Sequence, residues 1–436
     1  MNIKEILTST KGKLINNINV EEKYNKIKIN SKEVNKDDIF IAIIGEKHDG
    51  HKFINEAIKN GAKLIITQKE IKTNKPYIIV KDTTKSLGDI ASYIIKKYSP
   101  KVIAITGSVG KTTTKSIIYN LLKNKYKVLT NEKNYNNNIG VPLTIFNLKK
   151  EHEILLLELG MNHQKEISYL SNMINPSISA ITNIGSSHIG YLKTKENILK
   201  AKLEILDGMK NKILFVNGDD VLLKNIKQTH TSGFDKNNNL IGYEIKTNLY
   251  KSSFKIKYKN KEYKINVNLP KHLLNNVLIA IDIALYLNID IKEIQETLKN
   301  YKTENMRMDL IKDTNDNTII NDCYNSSFES LTGILKVLEN ENKDKLLIIG
   351  DIKELGDKSK EIHKSITQYI EKIKNKEVML VGNEIKNIKT KALYFNNYKE
   401  LLNYLKNKNI KNKMILIKGS RAMQLENITN YFLKKI

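Results

Sequence analysis

The sequence predicts an α/β protein in which short apolar strands alternate with helices along three segments. Such alternation is typical of mostly parallel sheets that carry helices on their faces. The length of 436 residues is enough for two or three domains, and 40% hydrophobic residues are enough for ordinary cores. A glycine-containing turn from strand to helix in the middle segment is the third observation behind this prediction.

The first predicted domain covers residues 1–98. Its strands are predicted at residues 26–29, 39–44, 64–66 and 77–80, and its helices near residues 53–59 and 87–97. Gly61 is suited to end the first of these helices, because glycine readily adopts the left-handed conformation that a helix end requires. Ser99-Pro100 interrupts the pattern, and we place the first domain boundary there.

The second predicted domain covers residues 99–310, and the third covers residues 311–436. In the second, strands are predicted at residues 102–105, 154–157, 178–182 and 213–216, a polar β-like stretch at 240–269 and a helix at 273–287. In the third, alternation resumes near Thr318, with strands predicted at residues 346–349, 378–381, 392–395 and 414–417. Both patterns favour mostly parallel sheets.

The stretch TGSVGKTTTK, residues 106–115, is the strongest signal of a function. A strand precedes it and a helix follows, so backbone N–H groups from Gly107 to Lys111 would face an anion at a helix N-terminus. Lys111 would neutralise nucleotide phosphates, and the Thr112 hydroxyl would bind Mg²⁺. Ile105 stands where the strict phosphate-loop pattern has its first glycine. A chance turn is the alternative, and the flanking strand and helix favour a nucleotide-binding loop.

Glu158 and His188 each follow a predicted strand of the second domain. Ligands gather outside the carboxyl ends of parallel strands, so both side chains would lie near Thr112. A carboxylate there suits an Mg²⁺ ion that keeps several waters and the nucleotide phosphates. The alternatives are a helix-capping carboxylate for Glu158 and a structural or solvated imidazole for His188. Lys202, in an amphipathic helical stretch, is predicted from the residues alone to be a solvated charge.

The net charge of +26 is compatible with a protein that binds nucleic acid or an anionic membrane. The lysines, however, are spread along the whole chain, and we find no arginine-rich helix and no aromatic stacking surface. We therefore attribute the charge to composition and expect it to attract polyanionic small substrates. The only arginines are Arg307 and Arg421, and such rarity suits positions that need a planar, bidentate fork.

Three features of the sequence predict a cytoplasmic protein. No apolar run approaches the roughly 20 residues needed to span a membrane. The N-terminal residues lack the apolar core and the cleavage site of a secretory signal. Cys323 is the only cysteine, which excludes an intramolecular disulfide and fits a reducing compartment.

Three looser clusters also stand beside predicted strands. Residues 134–142 place several amides before a glycine and a proline, and residues 321–325 and 350–356 follow strands of the third domain. Each could face a ligand. Each could equally be an ordinary turn, because Asn, Asp and Gly favour turns.

In chain order, these clusters resemble the motifs of the Mur ligases of cell-wall synthesis. The resemblance is carried by TGSVGKTTTK, NYNNNIGVP, LELGMNHQKEI, ITNIGSSH, ENILKAKLEI, HLLNNV, NDCYNSS, GDIKELGDKSKEIH and KGSR. Together they cover nearly the whole chain in the family's order and approximate spacing. The best match is the type that adds D-alanyl-D-alanine to UDP-N-acetylmuramoyl-tripeptide.

The resemblance implies a uridine-nucleotide substrate domain, a central ATPase domain and a C-terminal Rossmann-like ligase domain. It implies that ATP is bound by Gly107, Ser108, Gly110, Lys111, Thr112, Thr113, Asn276, Arg307 and Asp322. It implies that the metal ligands are Thr112, Glu158, His188 and a carbamylated Lys202, and that the catalytic residues are Lys111, Lys202 and His188. It implies substrate contacts by Ser31, Asn136, Asn137, Tyr324, Asn325, Lys418 and Arg421.

Several positions depart from the family's pattern, although the loop at residues 45–51 fits it. The departures are Asn30 and Lys32 (Asp and Arg in the family), Lys165 (Gly), Gly190 (Glu), Leu273 (Asn) and Ser327-Phe328. The lysine at position 32 lacks the bidentate fork of an arginine. These departures affect the expected substrate contacts rather than the ATPase core.

We therefore predict an ATP-dependent amide ligase that phosphorylates the terminal carboxylate of the tripeptide and then joins it to D-alanyl-D-alanine. ATP and Mg²⁺ are the expected cofactors, and we expect a monomer with no obligatory nucleic-acid partner. Two alternatives stay open: another ligase of the Mur or folylpolyglutamate type, and a phosphate-loop NTPase that binds nucleic acid. The sequence lacks an Asp-Asn-Pro-Arg run, which argues against the ligase that adds the third stem residue.

Overall fold

The computed structural model describes residues 1–45, 48–132 and 134–434. The loop predicted at residues 45–51 therefore lies partly outside the described residues. Three sheets are built from strands within residues 13–79, 101–267 and 309–418. Most strand pairs are parallel, so the predicted α/β class with mostly parallel sheets is confirmed.

The N-terminal sheet has five strands in the order β1-β5-β4-β3-β2, and only the β1–β5 pair is antiparallel. Its strands are β1 (Lys13–Ile15), β2 (Ile27–Lys28), β3 (Ile39–Ile41), β4 (Leu64–Thr67) and β5 (Tyr77–Ile79), and its helices are α1 (Ile3–Thr10), α2 (Ile54–Lys59) and α3 (Thr83–Tyr98). The sequence pattern missed α1 and β1. Gly61 has a φ of 103° just after α2, so its predicted role at this helix end is confirmed.

The central sheet has nine strands in the order β14-β13-β12-β11-β10-β9-β6-β8-β7. Its strands are β6 (Lys101–Thr106), β7 (Val128–Thr130), β8 (Ile154–Glu158), β9 (Ile178–Ile181), β10 (Leu214–Asn217), β11 (His230–Gly233), β12 (Leu240–Thr247), β13 (Ser252–Tyr258) and β14 (Lys261–Val267). Its helices are α4 (Lys111–Leu122), α5 (Gly140–Ile145), α6 (Glu166–Ile174), α7 (Ile189–Leu192), α8 (Lys195–Leu203), α9 (Leu274–Tyr286) and α10 (Ile291–Lys299). The strands from β7 to β12 are parallel, and the polar stretch predicted as β-like forms the antiparallel edge β12-β13-β14.

Strand β6 lies between β8 and β9, so the strand order reverses at its carboxyl end. Its side chains alternate between the two buried faces of the sheet: Val102 and Ala104 pack into one core, and Ile103 and Ile105 into the other. In an open parallel sheet, the crevice at such a reversal is the usual place for a ligand. The fold thus puts the residues after β6 at the expected binding edge.

The C-terminal sheet has six strands in the order β15-β16-β20-β17-β18-β19, and only the β15–β16 pair is antiparallel. Its strands are β15 (Asp309–Lys312), β16 (Thr318–Asn321), β17 (Lys345–Gly350), β18 (Lys376–Val381), β19 (Leu393–Phe395) and β20 (Met414–Lys418), and its helices are α11 (Phe328–Leu338), α12 (Ser359–Glu371), α13 (Tyr398–Leu405) and α14 (Glu426–Phe432). Strand β15, which the sequence pattern missed, crosses the predicted limit at residue 310. The two domain limits stay predictions, and we propose the second one just before Asp309.

Helix packing connects the first segment to the central one. Helix α3 of the first segment packs against α5 and α6 of the central segment, and α4 packs against α9 on the other face of the central sheet. Among the described residues, no helix is both long and apolar enough to cross a membrane. The C-terminal sheet faces the central sheet across the cavity described next.

Candidate active site

A cavity of about 1180 Å³ lies between the carboxyl ends of the central and C-terminal strands. On the central side it is lined by residues that follow β6, β8 and β9, including Lys111, Glu158 and His188. On the C-terminal side it is lined by residues that follow β16 and β17 or end β20, including Asp322 and Lys418. The two sheets thus present their ligand-binding edges to one space.

The phosphate loop turns between β6 and α4 on two glycines with positive φ. Gly107 has a φ of 146° and Gly110 a φ of 84°. A Cβ atom on Gly107 would lie 1.9 Å from Oγ1 of Thr182, and one on Gly110 would lie 2.6 Å from the side-chain amide of Asn276. Only glycine fits either place, because both conformation and space exclude a side chain. The loop therefore has the conformation that the predicted phosphate cradle requires.

Lys111 begins helix α4 and bends back over the loop. Its Nζ donates hydrogen bonds to the carbonyl oxygens of Gly107 at 2.7 Å and Ser108 at 3.4 Å. Burial lowers the pKa of the Lys111 ammonium, and the nearby Glu158 carboxylate opposes that shift. The side chain therefore places its amino group, shielded from water, over the loop where nucleotide phosphates would lie.

Both carboxylate oxygens of Glu158 are fixed by donors. Thr112 Oγ1 donates to one oxygen at 2.8 Å, and Asn136 Nδ2 donates to the other at 3.0 Å. Burial raises the pKa of the Glu158 carboxyl, but the positive charges of Lys111 and Lys115 outweigh burial and lower the pKa overall. Glu158 is thus a buried anion beside a threonine hydroxyl, a pair that suits Mg²⁺.

Lys202 is fully buried in α8, where the residues alone predicted a solvated charge. That prediction is wrong because α8 packs the side chain inside the protein. In the described part of the chain, its Nζ has no hydrogen-bond partner. Burial and the nearby Lys111 charge move the pKa of Lys202 well below its usual value. Burial thus favours the neutral form of the amine, which is the form that can react with CO₂.

His188 follows β9 and meets a side chain of the C-terminal segment. It has a φ of 63°, and its Nδ1 lies 2.8 Å from Oε2 of Glu354. Burial lowers the pKa of His188, and the Glu354 carboxylate opposes that shift. Within the described ranges, no three His, Cys, Asp or Glu side chains form a ready-made metal site. Any metal here would therefore need hydroxyl, water or phosphate ligands as well.

The C-terminal edge brings both arginines of the chain to one tyrosine. The guanidinium carbon of Arg307 lies 4.3 Å from the centre of the Tyr324 ring, and that of Arg421 lies 5.8 Å away. Met306 and Met308, on either side of Arg307, have φ values of 60° and 53°. Strained residues of this kind are common at binding sites, where the surrounding structure imposes them.

An ion pair supports this edge from below. Lys418 Nζ lies 2.5 Å from Oδ2 of Asp322, and Lys418 is almost completely buried. The Met308 N–H donates to Oδ1 of the same aspartate at 3.2 Å, and the Tyr324 N–H donates to the Met306 carbonyl at 3.2 Å. The ends of β16 and β20 are thereby tied to the segment that carries Arg307.

The cavity brings together most of the predicted site residues but not all of them. Those that line it are Ser108, Gly110, Lys111, Thr112, Thr113, Asn136, Glu158, His188, Asn276, Arg307, Asp322, Tyr324, Asn325 and Lys418. Those that do not line it are Ser31, Gly107, Asn137, Lys202 and Arg421. Asn137 Oδ1 accepts from the N–H groups of Ile139 and Gly140 at the start of α5. Ser31 lies in the N-terminal segment, where its hydroxyl donates to Glu56.

Sequence reasoning missed Lys115, Glu329 and, as a named site residue, Glu354. Lys115 is buried, and its ammonium donates to the Asn131 carbonyl. Its position four residues after Lys111 puts it on the same face of α4, which was an available signal. Glu329 and Glu354 contact the central segment from more than 140 residues away in sequence, and no local pattern marks them.

The structure shows the local environment of two departures from the family's pattern. Lys165 has a φ of 70°, in the left-handed region that favours the family's glycine. Gly190 lies against the C-terminal segment, where a Cβ atom would come within 2.6 Å of the Gly356 nitrogen. A larger residue at position 190 would therefore force these two segments apart.

Comparison with known proteins agrees with this architecture. Residues 23–106 match the model described as Mur ligase family, catalytic domain. Residues 105–284 match the Mur ligase middle domain, and residues 306–421 match the Mur ligase, glutamate ligase domain. A relative from Buchnera aphidicola (subsp. Baizongia pistaciae), named UDP-N-acetylmuramoyl-tripeptide--D-alanyl-D-alanine ligase, is 38% identical over 91% of this chain and 90% of its own.

The chain belongs to the Mur ligase family. A Bacillus subtilis relative with the same name is 33% identical over 98% of this chain and 97% of its own. A crystal structure of MurF from Acinetobacter baumannii superposes with a TM-score of 0.90 at 26% identity, covering 99% of this chain and 98% of its own. MurF from Thermotoga maritima in complex with ADP gives a TM-score of 0.85 at 28% identity, covering 94% of this chain and 97% of its own. The predicted family and an ATP-dependent ligase activity are thus confirmed.

Proposed function

We propose that this Mur ligase joins D-alanyl-D-alanine to UDP-N-acetylmuramoyl-tripeptide in peptidoglycan precursor synthesis. The observation that carries the proposal is the shared cavity in which the phosphate loop faces the cationic edge of the C-terminal sheet. Relatives that match nearly the whole chain carry this activity in their names, which supports the proposal.

The reaction has two steps that need both sides of the cavity. An oxygen of the tripeptide's terminal carboxylate attacks the γ-phosphorus of ATP, ADP leaves, and an acyl phosphate forms. The dipeptide's amino nitrogen then attacks the acyl carbon, phosphate leaves, and the nitrogen loses a proton to give the amide. Lys111 and the loop N–H groups would stabilise the transferring phosphoryl charge. Closure of the two sheets would exclude water, which otherwise hydrolyses the acyl phosphate.

We propose that Mg²⁺ is held by Thr112, Glu158 and His188 and organised by a carbamylated Lys202. The buried, unpartnered Nζ of Lys202 supports this, because a carbamate forms only on a neutral amine. The buried Glu158 anion beside the Thr112 hydroxyl fits a hard cation. When bound, Mg²⁺ would offset phosphate charge and orient the γ-phosphoryl group.

We assign the remaining predicted contacts by the same proposal. The nucleotide would lie against Gly107, Ser108, Gly110, Thr113, Asn276, Arg307 and Asp322. The tripeptide carrier would extend from Asn136 and Asn137 towards Ser31, and the dipeptide would lie near Tyr324, Asn325, Lys418 and Arg421. We further propose that the enzyme works in the cytoplasm, where ATP is available, as a monomer with no obligatory nucleic-acid partner.

Phosphate release tests this function against both alternatives. We expect release from ATP with UDP-N-acetylmuramoyl-tripeptide and D-alanyl-D-alanine together, and little when either is omitted. Release stimulated by DNA or RNA but not by these substrates would favour the nucleic-acid alternative. Release with folate and glutamate in their place would favour the folylpolyglutamate type.

A further inference from the structure

The turn after β9 forms one wall of the phosphate loop. The Ser108 N–H donates to the Asn183 carbonyl at 3.1 Å, and the Val109 N–H donates to the Asn183 side-chain oxygen at 2.9 Å. The Gly185 N–H donates back to the Ser108 hydroxyl at 2.9 Å. A shift of residues 183–186 would therefore move the loop that receives the phosphates.

The same turn is held from the opposite side by Glu329 of the C-terminal segment. One carboxylate oxygen accepts from the Ser186 N–H at 2.7 Å, and the other accepts from the Ser186 hydroxyl at 3.1 Å. Glu329 lies in the first turn of α11 and is partly buried at the cavity wall. Hydrogen bonds to an ionised carboxylate are stronger than neutral ones, so this contact fixes the turn firmly.

Gly185 makes room for the Glu329 carboxylate. A Cβ atom at position 185 would lie 2.7 Å from the Glu329 carboxyl carbon and 2.9 Å from each of its oxygens. The φ of Gly185 is outside the left-handed region, so alanine is allowed by the backbone there. An alanine at position 185 would therefore displace the Glu329 carboxylate, while the backbone of the turn allows it.

A second contact between the same segments lies one turn further along the chain. The Gly190 N–H donates to the Glu354 carbonyl at 3.1 Å, and Glu354 also reaches His188. Both contacts form only when the C-terminal segment is seated on the central sheet. They connect the position of that segment to the groups that would handle ATP.

We infer that Glu329 is a positioning residue that makes the geometry of the phosphate loop depend on the closure of the C-terminal segment. The inference rests on the proposed ligase function and goes beyond it. Among the described residues, the side-chain hydrogen bonds of Glu329 go to Ser186 and not to the phosphate loop, so it acts through the turn that contains Gly185 and Ser186. ATP can thus bind the open protein, while phosphoryl transfer waits for the dipeptide-binding segment to close.

The first test compares Glu329→Ala with Glu339→Ala, a control at the exposed end of the same helix. We expect kcat for ligation to fall about tenfold in Glu329→Ala, because the closed state loses both hydrogen bonds from Ser186 to the carboxylate. KM for ATP should change less than about threefold, because ATP enters before closure. Calorimetry with Mg-ADP should give nearly equal affinities in both variants.

The second test displaces the carboxylate without changing it. Gly185→Ala should lower kcat about as much as Glu329→Ala, and the double variant should be no worse than either single one, since both remove the same contact. If Glu329→Ala does not fold, Gly185→Ala and Ser186→Ala carry the test. An unchanged kcat in Gly185→Ala and Glu329→Ala, additive losses, or equal loss in Glu339→Ala would overturn the inference.

Different results would contradict the proposed function and this inference. A wild-type protein that forms no ligation product contradicts the proposed function. A wild-type protein that ligates normally, with variants that ligate equally well, contradicts only the positioning role of Glu329. Loss of Mg-ADP affinity in parallel with kcat would show a general structural defect and would also count against that role.

Discussion

The two edges that face each other across the cavity present different kinds of groups to a ligand. The central edge offers peptide N–H groups, glycines at positive φ and hydroxyls, with cations and an anion buried behind them. The C-terminal edge offers side chains: two guanidiniums on one tyrosine ring, above a lysine–aspartate pair. Under the proposed function, backbone N–H groups would bind a phosphate on one side, and charged side chains would bind carboxylates on the other.

The largest expected effect comes from the cation of the central edge. Lys111→Ala should reduce kcat for ligation about a thousandfold or more, because the charge on the transferring phosphoryl group loses its nearest cation. Lys123→Ala, at the exposed end of α4, is the matched control and should stay near wild type. The comparison breaks down if a folded Lys111→Ala protein turns over within threefold of wild type.

Next in size is the buried amine. Lys202→Ala should lose about a hundredfold in activity, and a short carboxylic acid such as acetate should partly restore it by replacing the carbamate. Lys200→Ala, on the exposed part of the same helix, should be silent. The thermal unfolding temperature of Lys202→Met should not be lower than that of the wild type, because the variant removes a buried polar atom that has no hydrogen-bond partner. Full activity in Lys202→Ala would rule out a metal-organising role.

A smaller effect should follow from the C-terminal edge. Tyr324→Leu removes the ring that both arginines share, and kcat/KM for D-alanyl-D-alanine should fall about three- to tenfold. Tyr324→Phe keeps the ring and should retain most of the activity. KM for the dipeptide and for ATP should be measured in both variants. Equal kcat/KM values for Tyr324→Leu and Tyr324→Phe would show that stacking on the ring does not position the two guanidinium groups.

The smallest effect is on stability alone. Asp282 in α9 lies behind the central sheet; burial raises the pKa of its carboxyl to about 6, although the Ser232 hydroxyl donates to it. Because the folded pKa exceeds the unfolded one, the free energy of unfolding falls as pH rises from about 4 to about 6, and the loss is complete above that interval. Asp282→Asn should therefore raise the free energy of unfolding by about 1–3 kcal/mol at pH 8 and by little below pH 4.

Urea unfolding at both pH values measures this difference. Glu296→Gln, on the exposed face of the next helix, is the control and should show no pH-dependent gain. Ligation by Asp282→Asn at pH 8 should be unchanged. That result would show that Asp282, unlike the buried charges of the central edge, has no role in the reaction. An equal gain at both pH values would contradict the assigned titration.

The two edges also differ in how far the sequence predicts them. The phosphate loop is contiguous, and its glycines, lysine and flanking strand specify it locally, so residues 106–115 alone predict its place. Strands β17–β20 were likewise visible as short, mainly apolar runs. Helix α1 and strands β1, β11 and β15 were missed. They are short, with little periodicity, and β11 (His230–Gly233) is largely polar although it lies inside the central sheet.

Tertiary burial explains the other failures. Lys202 has the local pattern of a solvated helix lysine, and only the packing around α8 buries it. The convergence of Arg307, Tyr324 and Arg421 joins three separate stretches of chain, which spacing cannot reveal. Family resemblance indicated these residues; the physical pattern of the residues alone did not.

The central claim is that the groups on the two edges together catalyse the joining of a dipeptide to a tripeptide, with conversion of ATP to ADP and phosphate. The most direct measurement incubates the protein with ATP, Mg²⁺, UDP-N-acetylmuramoyl-tripeptide and an equimolar mixture of D-alanyl-D-alanine, lysine, diaminopimelate and glutamate, and weighs the product by mass spectrometry. We predict one product, heavier than the tripeptide carrier by D-alanyl-D-alanine less one water. A product that has gained a single amino acid, or ADP formed without any new amide, would contradict the account.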